Sequence, residues 1–219
     1  MTLQNRSRRT AIFLTLLLLL MTLSTGGAAK AQAETVQLPM SIDLVLLRTL
    51  IIDQAYREQG ERARVLVLSE GCNELWLHNP ILTRERGLLR YQTGVSITWG
   101  TPLAGNCYGA VNWQGSLVLW QQPQLDRQWR LTFTTVDSLL LDNSGQPAKI
   151  AGLLWDLIKD HVHAYLDRIS INLAPPVENL KEFMLASSDE ETMSTARRFL
   201  ASMHPQEPVL LENELHVDI

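Results

Sequence analysis

The chain has 219 residues, 46% of them hydrophobic and 19% charged, with 19 Lys+Arg against 23 Asp+Glu and a formal net charge of −4. That balance argues against a nucleic-acid binder and against adsorption to anionic lipid by charge, because an acidic surface repels phosphate groups. The length suits one sizeable domain with a real core.

The first thirty-three residues read as an export signal and not as fold. Arg6, Arg8 and Arg9 precede an apolar core from Ala11 to Leu23, and Ala31-Gln32-Ala33 offers a cleavage point between Ala33 and Glu34. The apolar run is shorter than the ~20 residues of a membrane span, so no stable span is expected after cleavage; the alternative is an uncleaved N-terminal anchor. No cysteine follows the apolar run to carry a lipid anchor. Cleavage leaves 15 Lys+Arg against 23 Asp+Glu, a net charge of −8, with nine acids from Glu178 onward. The expected location is outside the inner membrane, in the periplasm.

From Val36, apolar Val36, Leu38, Met40, Ile42 and Leu44 alternate with polar residues and Pro39, which predicts a strand at a sheet edge. Leu46, Leu47, Leu50, Ile51 and Ala55 repeat at helical spacing and predict a short helix ended by Gly60. Alternation then dominates. Val65–Leu68, Leu75/Leu77/Ile81, Leu89/Tyr91/Val95/Ile97/Trp99, Val111/Trp113/Leu117/Leu119 and Trp129/Leu131/Phe133 form successive apolar rows, with Trp76 on the opposite face from Leu75. Thr101 to Gly109 reads as a loop and Gln121 to Asp126 as a turn. A bulge is expected near Thr134–Thr135, where Val136 takes over the phase. The pattern is that of an antiparallel meander with one apolar face.

Asp142-Asn143-Ser144-Gly145 is a turn cluster. Beyond it, Ile150, Leu153, Leu154, Leu157, Ile158, Val162, Tyr165 and Ile169 step at three and four residues, predicting one helix of about 25 residues that stops before Pro175-Pro176. A short helix is expected around Val177–Met184. Another runs to about Ser202 behind a Ser188/Glu191 capping box, and a last strand covers Leu211 to Ile219.

Two cysteines in an exported chain most simply pair, so a Cys72–Cys107 disulfide is expected; the competing reading is a catalytic thiol at Cys107 served by His161 or His163. His161 and His163 lie on opposite sides of a helix and do not chelate one metal together. Asp189-Glu190-Glu191 has a sufficient reason in a helix N-terminus. No G-x-S-x-G, H-E-x-x-H, glycine-rich phosphate loop or C-x-x-C is present. The expectation is no catalytic residue, no metal and no cofactor, with a cysteine hydrolase as the outlier.

In chain order, strand, helix, meander and long helix, the segment from Val36 to Leu173 resembles one unit of the tubular lipid-binding (TULIP) superfamily, which includes the bactericidal permeability-increasing protein fold. The resemblance rests on order and patterning, with no residue motif to transfer. It implies an α+β domain over residues 34–176, in which a curved sheet wraps around the long helix, followed by an acidic helical extension, 177–219, ending in a strand. It also implies acyl chains lying between sheet and helix, near Leu89, Tyr91, Val95, Ile97, Trp99, Val111, Trp113, Leu117, Trp129, Leu131 and Phe133 of the sheet and Leu154, Ile158 and Tyr165 of the helix. Many members carry two units in tandem, so a single unit is expected to work alone or to pair with a second copy. The functional expectation is non-catalytic binding or transfer of a lipid or other apolar ligand in the cell envelope. The alternative is an envelope adaptor with a solid core, whose last strand adds to a partner's sheet edge.

Overall fold

Strand pairing organises the molecule into two antiparallel sheets. The computed structural model describes residues 38–69, 71–149 and 152–219, less the side chains of Leu153 and Leu154. The export signal, its cleavage point at Ala33 and Glu34, and Val36 lie outside the described residues, and Gln37–Ile219 forms one compact unit.

The larger sheet is a curled half-barrel of six strands taken strictly in chain order. They are β2 (Arg62–Ser69), β3 (Asn73–Glu85), β4 (Leu88–Leu103), β5 (Asn106–Leu125), β6 (Arg130–Leu141) and β7 (Ser170–Asn172). The predicted alternation sets its faces. Opposed pairs such as Leu77 with Val95, Tyr91 with Leu119, Ile97 with Trp113 and Leu117 with Leu140 stack apolar rows on one side. Trp76 lies on the other side, where the guanidinium groups of Arg62 and Arg64 sit 4.4 and 4.8 Å from its ring centroid. The slip anticipated near Thr135 is a bulge. Trp120 faces Asp137 and Gln121 faces Thr135, so Val136 is the extra residue.

Two predicted loops are strand instead. β4 and β5 continue through the stretch read as the Thr101–Gly109 loop, turning only at Ala104-Gly105, and β5 runs on to Leu125 through the stretch read as a turn. Gly100 and Gly109 fall at a bulge in the paired strands, while Pro102 and Pro123 keep register with Cys107 and Phe133. Gly60 does not end the first helix. α1 (Leu44–Ala55) closes at Tyr56, and Gly60, at φ +75°, sits in the turn into β2. The start of α1 is fixed by Asp43, whose carboxylate accepts from the Val45 N–H at 2.6 Å.

The long helix is the main correction. The described part is an α-helical segment, α2 (Gly152–Ile158), then a π-helical turn (Lys159–His163), then a short α3 (Ala164–Leu166). The chain then turns into β7, which pairs with β6 through Leu131 and Ile171. The buried residues Ile158, Val162 and Leu166 recur every four positions. An α-helix rotates by about 40° too far for a strict four-residue repeat, and the wider π turn takes up that drift so that all three still face the sheet. Ile169, Ile171 and Leu173 are buried in alternation, a strand pattern where the spacing predicts helix up to Pro175.

The smaller sheet joins the two ends of the described chain. β9 (Glu214–Asp218) lies between β1 (Pro39–Asp43) and β8 (Val209–Leu210), with Ile42 facing Leu215 and Met40 facing Val217. The segment after residue 176 is therefore woven back into the start of the domain. Its last strand has a neighbour on both sides, so edge addition of that strand to a partner is not available. Between β7 and β8 run α4 (Ala174–Ala186) and α5 (Met193–Ser202). The expected Ser188/Glu191 box is replaced by Asp189, whose carboxylate accepts from the N–H and hydroxyl of Thr192, while the Ser188 hydroxyl donates back to Met184.

Candidate functional site

The inner face of the half-barrel changes character along β4 and β5. At the closed end, under α1, the π turn and α3, side chains pack without solvent. Leu75, Leu77, Leu89, Val95, Leu117, Leu119 and Leu131 are all at 0% exposure. Interiors packed this way leave few voids. At the far end the same rows run out from under the helices: Trp99 and Trp113 are half-buried and Val111 is 52% exposed.

The residues expected near a ligand divide along that line. Leu89, Tyr91, Val95, Ile97, Leu117, Trp129, Leu131, Phe133 and Ile158 are buried in one core cluster. Trp99, Trp113 and Tyr165 pack partly against it, and Val111 is uncovered. The side chain of Leu154 lies outside the described residues. Tyr165 is anchored at the other end of the molecule, donating its hydroxyl to the Ala55 carbonyl.

Clefts border this core among the described residues. One of about 310 Å³ opens between the end of β6 and α2, lined by Ser138, Leu139, Leu140, Pro147, Ala148, Gly152 and Trp155. It lies where the helical segment parts from the inner face, since Leu140 pairs with Leu117 on that face. Another of about 460 Å³ lies over the start of α1 and β3, with Arg48 and Arg84 among its walls. The third, about 180 Å³, sits beside Tyr165. The first is of a size ligand pockets take and has mainly apolar walls.

Gly115 shapes the inner face near the first cleft, and Gly94, in phase with Gln92 and Ser96, shapes the outer face. A Cβ on Gly115 would stand 2.2 Å from the Leu141 carbonyl oxygen and 2.5 Å from the Trp113 ring, so the indole lies along the strand over a position that only glycine leaves free. A Cβ on Gly94 would meet the His78 ring at 2.0 Å. Burial, with Arg62 nearby, pulls the His78 pKa below the ordinary histidine value.

A polar ladder crosses the closed end, and sequence reading missed it. Thr93, fully buried, donates to the His78 carbonyl at 3.0 Å; Tyr56 donates to Thr93 at 2.9 Å; and Tyr91 hydrogen-bonds to the Tyr56 hydroxyl. Burial pushes the pKa values of Tyr56 and Tyr91 well up, so both stay neutral and each hydroxyl has one proton to give. The signal was available: Thr93 is a polar residue in phase with Tyr91 and Val95. Gln121, also in phase and buried, donates to Thr135, which donates to Asp167.

Cys72 and Cys107 are joined, with Cα atoms 5.2 Å apart, which removes the thiol nucleophile. The bridge ties the turn before β3 to β5, and Gly100 makes room for it, since a Cβ there would stand 2.7 Å from the Cys107 sulfur. Such a bond is compatible with export to an oxidising compartment. His163 has its Nε2 buried without a partner; burial lowers its pKa, with Asp167 opposing. Among the described residues no three His, Cys, Asp or Glu side chains are grouped to hold a metal, and no helix is long and apolar enough to cross a membrane. No protein-family model matches this chain, and no curated protein sequence matches it.

Proposed function

We propose that this protein is an exported, non-catalytic binder of a lipid or similar apolar molecule in the cell envelope. The ligand would lie in the cleft between β6 and α2 and extend along the uncovered inner face beside Trp113. The observation that carries the reading is the cleft of about 310 Å³, walled by Leu139, Leu140, Ala148 and Trp155, beside an apolar face that continues past its helical cover. Each methylene moved there from water contributes about 0.8 kcal/mol. What remains of the likeness to tubular lipid-binding units, the order of strand, short helix and curled meander without the single long helix, favours the same reading, with the ligand displaced from the middle of the sheet towards its open end.

A second reading, an envelope adaptor, is favoured by the closed end, where side chains expected to face a ligand are at 0% exposure. Native mass spectrometry on protein purified without detergent separates the two. Bound lipid that is lost on Trp113→Glu, with the circular dichroism spectrum unchanged, supports the carrier. A bare mass for a folded protein, still bare after incubation with mixed lipids, supports the adaptor.

A further inference from the structure

Strands β4 and β5 outrun their neighbours. β3 reaches no further along β4 than Glu74 opposite Thr98, and β6 reaches no further along β5 than Leu141 opposite Ser116. Beyond those pairs, Trp99–Leu103 and Asn106–Val111 pair in register only with each other among the described residues, as a two-stranded ribbon. From Tyr91 to Leu125 the sequence holds no Asp, Glu, Lys or Arg, 35 consecutive uncharged residues in a chain that is 19% charged. The ribbon presents Leu103 at 63% exposure, Tyr108 at 54% and Val111 at 52%, with Trp99 and Trp113 half-buried at its base. The Cys72–Cys107 bridge and the Gly100 N–H to Asn73 Oδ1 hydrogen bond of 3.0 Å brace it against the sheet.

We propose that this ribbon docks the protein onto a lipid bilayer, with Leu103, Tyr108 and Val111 entering the boundary between headgroups and acyl chains. The absence of charge selects the occupant. A protein partner is met across a polar rim, whereas hydrocarbon penalises every charge and tolerates none here. Tryptophan and tyrosine favour the interface, where ring and polar tip find different surroundings. The outer edges of the ribbon carry unpaired backbone groups that need water, so it dips into the interface and does not span. Strand addition by a second copy is opposed by the bulge at Gly109, φ +64°, which twists the edge away. The acidic remainder of the chain makes neutral lipid the preferred surface, with little salt dependence. The inference stands whether or not a lipid is carried in the cleft.

The test is flotation of the full mature chain with phosphatidylcholine vesicles at low and high salt. The expected result is association that salt leaves unchanged. Leu103→Asp and Tyr108→Asp, both at exposed sites, should each weaken it by about tenfold or more. Quenching of tryptophan fluorescence by brominated phosphatidylcholine checks the wild-type chain independently of any variant. Four results overturn the proposal: no flotation, flotation unaffected when Leu103→Asp and Tyr108→Asp are combined, binding confined to anionic vesicles and abolished by salt, or a dimer in light scattering that the combined variant dissolves. A wild-type chain that does not float with vesicles but still carries lipid by native mass spectrometry would strike this inference and leave the carrier standing.

Discussion

The two ends of the β4–β5 hairpin share strands and alternation but differ in what lies over them. At the closed end Leu89, Tyr91, Leu117 and Leu119 are sealed beneath helices. At the distal end Val111, Tyr108 and Leu103 continue the apolar content at 52%, 54% and 63% exposure among the described residues. Periodicity thus assigns a residue to a face, while the cover decides whether that face becomes core or surface. The same residue types are worth several kcal/mol in one place and are available to a ligand or membrane in the other.

The strongest test of the contrast removes the brace between the ends. Replacing both cysteines by serine, or reducing the bond, frees a 35-residue separation and should cost about 4 kcal/mol on the chain-entropy model, read as a lower urea midpoint. If the ribbon is independent of the core, the loss appears mainly as ribbon mobility in amide exchange, with core protection intact. Next comes a matched pair of truncations. Leu119→Ala should cost about 2–5 kcal/mol, whereas Val111→Ala should stay within about 0.5 kcal/mol. Equal costs in chemical denaturation would erase the distinction between the ends. At their junction, Gly115→Ala forces a methyl against the Leu141 carbonyl and should cost about 1–3 kcal/mol. It should also turn the Trp113 indole, visible as a change in near-ultraviolet circular dichroism.

Much of this architecture is legible locally. The meander, its apolar rows, the bulge at Val136 and the Cys72–Cys107 pair follow from period-two patterning and compartment. What escapes is set by partners distant in sequence. Nothing near Met40 announces that it will face Val217. The predicted helix runs too far because Ile169, four residues beyond Tyr165, continues the helical count; the alternation of Ile169, Ile171 and Leu173 points to a strand, and pairing with β6 decides for it. Of the expected ligand residues, the distinction between buried Leu89 and uncovered Val111 lay in helix placement, which periodicity does not encode. Thr93 and Gln121 show what a closer reading yields: a polar residue in phase with an apolar row signals an internal hydrogen bond.

A modest effect concerns that ladder, and its direction is informative. Thr93 gives its proton to the His78 carbonyl, so it must accept from Tyr56, and Tyr56 must accept from Tyr91. Tyr56→Phe therefore breaks two links, leaving the buried Tyr91 hydroxyl without an acceptor and Thr93 without a donor. It should cost about 1–3 kcal/mol. Tyr91→Phe removes only the terminal donor and should cost less. The folded-state pKa values of both tyrosines are raised, so their contribution is complete below the unfolded value of about 10 and falls away as pH rises beyond it. Urea midpoints measured from neutral pH into the alkaline range should decline above about pH 10 in the wild-type chain, and less steeply in Tyr56→Phe. A larger cost for Tyr91→Phe than for Tyr56→Phe at neutral pH would reverse the ladder's polarity and with it the account of how the closed end tolerates hydroxyls in its core.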